Sequence, residues 1–230
     1  MNGIKNFQNF SSPLAFYMLH KNPLIIASAT LHLIQQLQAI PELKEFYLVG
    51  GTALALQLGH RNSIDIDLFT LKEFDDGDII ELINKQYEIS EILRRRNTVI
   101  CLVNNIKTDF IRHNYELLFP PITEEGISFL SKEDIAAMKF HAIIQSGKRL
   151  KDFIDIYFLL EHFSMKQMVD FFSAKYKHSN PMIAMKAVNF FDDIDKNIDP
   201  PKLLKPLPLK KITDRIREAT LTPDKIFKQD

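Results

Sequence analysis

The 230-residue chain has one cysteine, Cys101, seven glycines and no tryptophan. A single cysteine excludes an internal disulfide framework and a thiolate metal cluster, and it fits a reducing compartment, with the cytoplasm as the default. Net charge is also missing: 29 Lys and Arg meet 29 Asp and Glu. No overall field draws the protein to nucleic acid or anionic lipid, so a polyanion has to be met by a local patch. No stretch approaches the ~20 apolar residues that a membrane-spanning helix needs. Between Met1 and Ser12 there is no apolar run followed by a small-residue cleavage site, so no signal peptide is readable. His20, His32, His141, His162 and His178 show neither H-x-x-x-H nor H-E-x-x-H spacing, which argues against zinc. What is present is 46% hydrophobic residues, enough to bury a core in one large domain or in one domain plus a smaller one. Where glycine is scarce its clusters carry information, and Gly50 and Gly51 are adjacent.

Local patterns predict a mixture of helices and strands. Asn22 and Pro23 read as an N-cap and first-turn proline, and Leu24, Ala27, Leu31, Ile34 and Leu37 continue at helical spacing to near Pro41. Phe46 to Val49 reads as a buried strand running into the glycine pair, Thr52 to Leu58 as a short helix, and Ile64 to Leu68 as an alternating strand. A helix is expected from Asp78 to Gln86 and a strand from Ile89 to Leu93. Thr98 to Val103 and Ile106 to Ile111 form a hairpin across Asn104 and Asn105. At Pro120 and Pro121 the strand-like runs cease, and helices follow from Ser131 to Ser146, Lys151 to Phe163, Lys166 to Lys175 and Met182 to Phe191. The Pro-rich stretch from Pro200 to Pro208 reads as a connector before a tail that leans basic. The expected division is a core with an N-terminal helix over residues 1–121 and a helical domain over 122–230.

Asp65 and Asp67 are the sharpest chemical feature. Two residues apart in a strand, they project from one face while Ile64, Ile66 and Leu68 point to the other. Two carboxylates that close raise each other's pKa unless a cation lies between them, and Mg²⁺ accepts one or two carboxylates together with substrate phosphates. The same pattern also fits an edge strand with a solvated acidic face. Gly50 and Gly51 open a helix whose first N–H groups suit a phosphate, Thr52 adds a hydroxyl, and His60 and Arg61 stand just before the acidic strand. A tight turn with an N-cap has the same composition. Asp152 and Asp155 are one turn apart on a helix apolar on nearly all sides, so they need partners, with Lys139, Lys148 and Arg149 in reach. Cys101 reads as core. Arg94 to Arg96 reads as a solvated loop, or with Arg112 and His113 as a patch for acceptor RNA. Composition and spacing by themselves support an α/β or α+β protein with a phosphate and metal site.

The segment Val49 to Phe69, VGGTALALQLGHRNSIDIDLF, resembles the signature of the AbiEii/AbiGii-type nucleotidyltransferase toxins, bacterial members of the polymerase-β-like nucleotidyltransferase superfamily. Gly50, Gly51, Arg61, Ser63, Asp65 and Asp67 match, and Thr52 keeps the hydroxyl of the serine usual in the wider superfamily. Lys139 in DIAAMKFHAI and the run KDFIDIY from Lys151 to Tyr157 extend the resemblance, which covers Phe46 to Leu160. It implies a twisted mixed sheet with helices, a helical C-terminal region and a cleft between them. It further implies transfer of a nucleoside monophosphate from an NTP, with release of pyrophosphate. Two Mg²⁺ ions would sit on Asp65 and Asp67, with Asp109 as the third carboxylate; Gly50, Gly51, Thr52, Arg61 and Ser63 would bind the nucleotide. Lys139 would hold the triphosphate, and Asp152 or Asp155 would orient it or the acceptor. The resemblance also implies a toxin of a toxin–antitoxin or phage-abortive-infection system, with tRNA as a candidate acceptor and a cognate antitoxin encoded nearby. Two other readings stand beside it. DIDLFT resembles the D-x-D-x-T of haloacid-dehalogenase-type phosphatases with the threonine one residue late, and a non-catalytic nucleotide-binding or regulatory protein could use the same scaffold.

Overall fold

The first strand, β1 (Tyr47–Leu48), is two residues long because Gly50, at φ +66°, turns the chain directly into α2 (Gly50–Leu58). Glycine adopts that left-handed backbone at no steric cost. The structure, a computed structural model, describes residues 18–198 and 200–229. β1 pairs antiparallel with β2 (Ile66–Thr70), which lies parallel to β5 (Ile106–Arg112). β5 forms a hairpin with β4 (Thr98–Val103), turning through Asn104 and Asn105 at φ 48° and 65°, and β3 (Ile89–Arg95) is antiparallel to β4. On the other flank β7 (Ile127–Phe129) runs parallel to β1 and carries β6 (Ile122–Glu124) outside it. The result is a twisted mixed sheet of seven strands in the order β3-β4-β5-β2-β1-β7-β6.

Helices α1 (Ser28–Ala39) and α3 (Asp76–Asn84) belong to the sheet half, while α4 (Lys132–Gln145), α5 (Leu150–Leu159), α6 (Met165–Lys175), α7 (Pro181–Val188) and α8 (Leu209–Leu221) follow the last strand. α4 packs on α2, α5, α6 and α7, so α2 joins the sheet to the helices. Ser131 caps α4 by accepting from Asp134 N–H, and Ser164 with Gln167 forms a full capping box on α6. As expected for a helix apolar on nearly all sides, α5 buries Phe153, Ile154, Ile156, Tyr157 and Leu159.

Three expectations are corrected. Asn22 does not start α1: its side chain accepts from Leu24 N–H and its carbonyl from Ile25 and Ile26, closing a separate turn, and Ala27 is extended before the helix begins at Ser28. β2 begins at Ile66, so Asp65 precedes the strand; Asn62 N–H is held by Lys202 O and Ser63 N–H by Ile25 O, outside the sheet. Strands do not cease at Pro121, because a hairpin through Glu125 and Gly126, both at positive φ, places β6 and β7 in the same sheet. Beyond the Pro-rich connector α8 continues the helical region, burying Ile212, Thr213, Arg215, Ile216 and Ala219. Among the described residues no helix is long and apolar enough to cross a membrane.

Candidate active site

Parallel pairing of β2 with β5 sets Asp67 directly opposite Asp109. Along β2, Ile66, Leu68 and Thr70 are buried, while Asp67 and Phe69 line a cleft of about 510 Å³ between the sheet and the helices. Asp65 reaches the same cleft from just before the strand. Burial, followed by the charge of Asp109 and then of Asp65, pushes the Asp67 carboxyl up to about 6 against the opposing pull of Lys107. The ammonium of Lys107 donates to both oxygens of Asp109, at 2.9 and 3.0 Å, and Lys151 Nζ lies 3.7 Å from Asp65 Oδ2. Burial would lower the Lys107 pKa, but its bond to Asp109 and the charges of Asp109, Asp67 and Asp65 raise it on balance.

The glycine pair is fixed by close approach. A Cβ on Gly50 would run into Asp67 Oδ2, and one on Gly51 into the Arg61 guanidinium. Thr52 is buried at 1% exposure and does not open to the cleft; its Oγ1 bonds to the Asp65 carbonyl oxygen and lies 2.8 Å from Ser63 Oγ. Thr52 and Ser63 thus tie the start of α2 to the segment that carries Asp65. Does this site suit a divalent ion? Among the described residues no three His, Cys, Asp or Glu side chains are gathered into a ready metal cluster. Mg²⁺, however, takes only one or two carboxylates and fills its shell with water and phosphate, and a carboxyl raised to about 6 by burial and by like charges is relieved by such a cation. The hard oxygen donors of Asp65 and Asp67 fit it.

Asp152 and Asp155, both fully buried on α5, find the partners they need. Lys139 Nζ is 2.7 Å from Asp152 Oδ1 and 2.7 Å from Asp155 Oδ2, and Arg149 donates to Asp152 Oδ2 at 2.9 Å. Arg61 grips Asp155 with both arms of its fork, Nε at 2.7 Å from Oδ1 and Nη2 at 2.9 Å from Oδ2, and His60 Nε2 is 2.8 Å from Oδ1. Burial would raise the Asp155 pKa, yet the charges of Arg61 and Lys139 and the bonds from Arg61 and His60 hold the carboxyl well below the usual carboxylate range. Arg61, expected to face a phosphate, is 2% exposed and points its guanidinium at Asp155. Sequence reasoning missed Arg61 and His60 as partners of Asp155.

The other end of the cleft is aromatic. Cleft-lining residues along β5 are Lys107, Asp109 and Ile111, and His113 follows just past the strand. The His113 ring lies 5.4 Å from Phe69 and 5.0 Å from Tyr115, and His141 stacks on Tyr176 at 4.5 Å. Burial, with Lys175 and His141 adding, pushes His113 down to about 3, so its imidazole is neutral at pH 7. Arg94 and Arg95 are part of β3 and not a loop; Arg94 pairs with Asp76, and Arg96 and Arg112 both pair with Glu73. Cys101 is core, fully buried in β4.

The family model described as nucleotidyl transferase AbiEii toxin, type IV TA system, matches residues 32–116 and 100–226. The chain belongs to the AbiEii nucleotidyltransferase toxin family. A relative, the uncharacterized protein aq_aa25 of Aquifex aeolicus (strain VF5), is 35% identical over 160 residues, 67% of this chain and 77% of its own. Among solved structures, a candidate nucleotidyltransferase from H. pylori superposes with a TM-score of 0.56 at 16% identity, over 85% of this chain and 92% of that one. JHP933 from Helicobacter pylori gives 0.54 at 16% identity, over 85% and 89%. These two likenesses establish the nucleotidyltransferase fold for this AbiEii-family chain. The phosphatase reading falls away: Thr70, the residue it required, is buried with Ile66 and Leu68, in the alternation opposite to that of Asp67.

Proposed function

We propose that this AbiEii-family protein is a metal-dependent nucleotidyltransferase that moves a nucleoside monophosphate from an NTP to an acceptor hydroxyl and releases pyrophosphate. It would act in the cytoplasm as the toxin of a toxin–antitoxin or phage-abortive-infection pair, with tRNA as the first acceptor to test and a cognate antitoxin as its partner. The observation that carries the reading is the meeting of Asp65, Asp67 and Asp109 in one cleft floored by Gly50 and Gly51.

Asp65 and Asp67 would hold Mg²⁺, with Asp109 joining them once Lys107 swings off its carboxylate; the exposed stem of Lys107 allows that movement. When bound, the ions neutralise the triphosphate and polarise the attacking hydroxyl. Backbone N–H groups at the start of α2 would take the β and γ phosphates, and a side chain on Gly50 or Gly51 would displace Asp67 or Arg61 beside them. Lys151, in the cleft wall, adds positive charge for the phosphates, while Lys139 is engaged by Asp152 and Asp155. Arg61 and Asp155 work at one remove, fixing the guanidinium against which Gly51 packs. The acceptor oxygen bonds to the α-phosphorus as its proton leaves, and the bond to pyrophosphate breaks with its electron pair going to the leaving group.

One observation favours a non-catalytic nucleotide-binding role: Lys107 already satisfies both oxygens of Asp109. A single experiment separates the two. Purified protein is incubated with each α-³²P-labelled NTP, Mg²⁺ and total tRNA, beside an Asp65→Ala/Asp67→Ala variant. Label in RNA or protein with the intact pair alone is the expected result; NTP binding without transfer to any acceptor supports the non-catalytic role.

A further inference from the structure

At the aromatic end of the cleft, His113 Nε2 is buried and has no hydrogen-bond partner among the described residues. A buried polar atom left unpaired is costly, and the residue that carries this one lines the cleft, so a ligand entering there is a natural partner. The imidazole is also held in place. Its backbone N–H donates to Thr70 O at 2.8 Å, and its ring is flanked by Phe69 at an interplanar angle of 31° and Tyr115 at 48°, with Tyr176 edge-on at 6.1 Å. Tyr115 is 40% exposed and so leaves ring surface open to a further flat group.

Position along the strand links this end to the chemistry. Asp109 and His113 are separated by four residues on the cleft side, and at ~3.3 Å per residue the two lie about 13 Å apart. That is the span a ribose and a base occupy when the phosphates rest on the carboxylates. A nucleobase is the ligand that presents both a flat face for stacking and fixed donors and acceptors on its edge.

We propose that the aromatic end of the cleft is the nucleobase pocket and that His113 selects the base, through the hydrogen bond its Nε2 makes with the base edge. The proposal rests on the nucleotidyltransferase reading above. A neutral imidazole offers at Nε2 either a donor or an acceptor, never both. A base edge that presents the same role at that point leaves two buried groups unpaired, and sites built on a hydrogen bond reject mismatched ligands strongly for that reason. Burial and the nearby Lys175 and His141 keep the ring neutral, so its role does not change across the physiological range.

The test is calorimetric binding of ATP, GTP, CTP and UTP, each with Mg²⁺, to the full chain and to variants. Wild-type protein should bind its preferred nucleotide at least tenfold more tightly than the poorest. His113→Phe keeps a flat ring and removes the nitrogen, and should narrow that ratio to under threefold. His113→Gln, which offers both a donor and an acceptor, should narrow it too and serves if the phenylalanine variant does not fold. Tyr115→Ala should weaken all four nucleotides together and leave the ratio unchanged. A His113 variant that folds and keeps the wild-type ratio overturns the proposal, as does a wild-type protein without base preference. Label transfer is scored in parallel: a preference abolished by His113→Phe in a protein that transfers no label upholds the pocket and sinks the transfer reading, whereas absence of all NTP binding sinks both.

Discussion

Asp67 is a charge the fold holds at a cost. Its carboxyl is raised to about 6 while the unfolded value is 3.8, so the native state binds the proton more tightly than the unfolded chain. The ionised group therefore subtracts stability above pH 6, and the penalty fades as the pH falls toward 3.8. Asp67→Asn should raise the unfolding free energy at pH 8 in EDTA by about 1–2 kcal/mol, with the gain shrinking toward pH 4, while transfer is lost. Thermal melts at the two pH values check this, and a variant that melts lower at pH 8 would contradict the origin given for the shift. Of the site, Asp67 is legible from the alternation of β2, whereas Asp65 reaches the same cleft from just before the strand. Asp109 needs strand register to meet them. The Arg61–Asp155 grip is hidden because 94 residues separate its partners and neither neighbourhood hints at the other. His113 continues the two-residue alternation of Lys107, Asp109 and Ile111, but its place inside an aromatic group arises only from tertiary packing.

At the level of elements, α5 is the helix on which the buried charges converge. Removing one member of such a group leaves the others buried and unpaired, which costs about 3–5 kcal/mol. Asp155→Asn, which weakens the attraction for Arg61 and Lys139 at once, should lose that much in urea denaturation. Asp152→Asn should lose less, since the Arg149 side chain is 41% exposed and can turn to water while Lys139 keeps Asp155. Equal losses would mean that the two carboxylates are not ranked by their partners. Elements with strong local grammar were readable: the β4–β5 hairpin through Asn104 and Asn105, α2 after the glycine pair, and α4 from its Ser131 cap. Short or weakly patterned ones were not. β6 and β7 have three residues each, too few for alternation to register, and α8 carries a narrow apolar stripe of Ile212, Ile216 and Ala219 among charged residues. The start of α1 was misplaced because an Asn-Pro pair signals a turn and a helix equally well.

Across the whole molecule, the helices are fastened to the β5–β6 connection by Lys175 and Asp134, both with fully buried side chains. Asp134 also accepts from the N–H groups of Leu118 and Phe119 and from the Ser131 hydroxyl, and Lys175 donates to Glu116 O. Lys175→Met leaves that carboxylate without its cation and should cost about 3–5 kcal/mol. Hydrogen exchange at Leu118 and Phe119 should quicken with it, and unchanged exchange there would show that the connection is held by packing instead. The β1–β7 pairing has a consequence for the order in which the protein is made. β1 lies between β2 and β7, and its outer partner is not available until Phe129. During translation the glycine pair and all three carboxylates leave the ribosome while the β1 edge still lacks its neighbour, and an unpaired edge invites foreign strands. The nascent chain therefore passes through an interval in which the chemical residues are complete but the surface that aligns them is not, and the last of the sheet to be synthesised ends that interval.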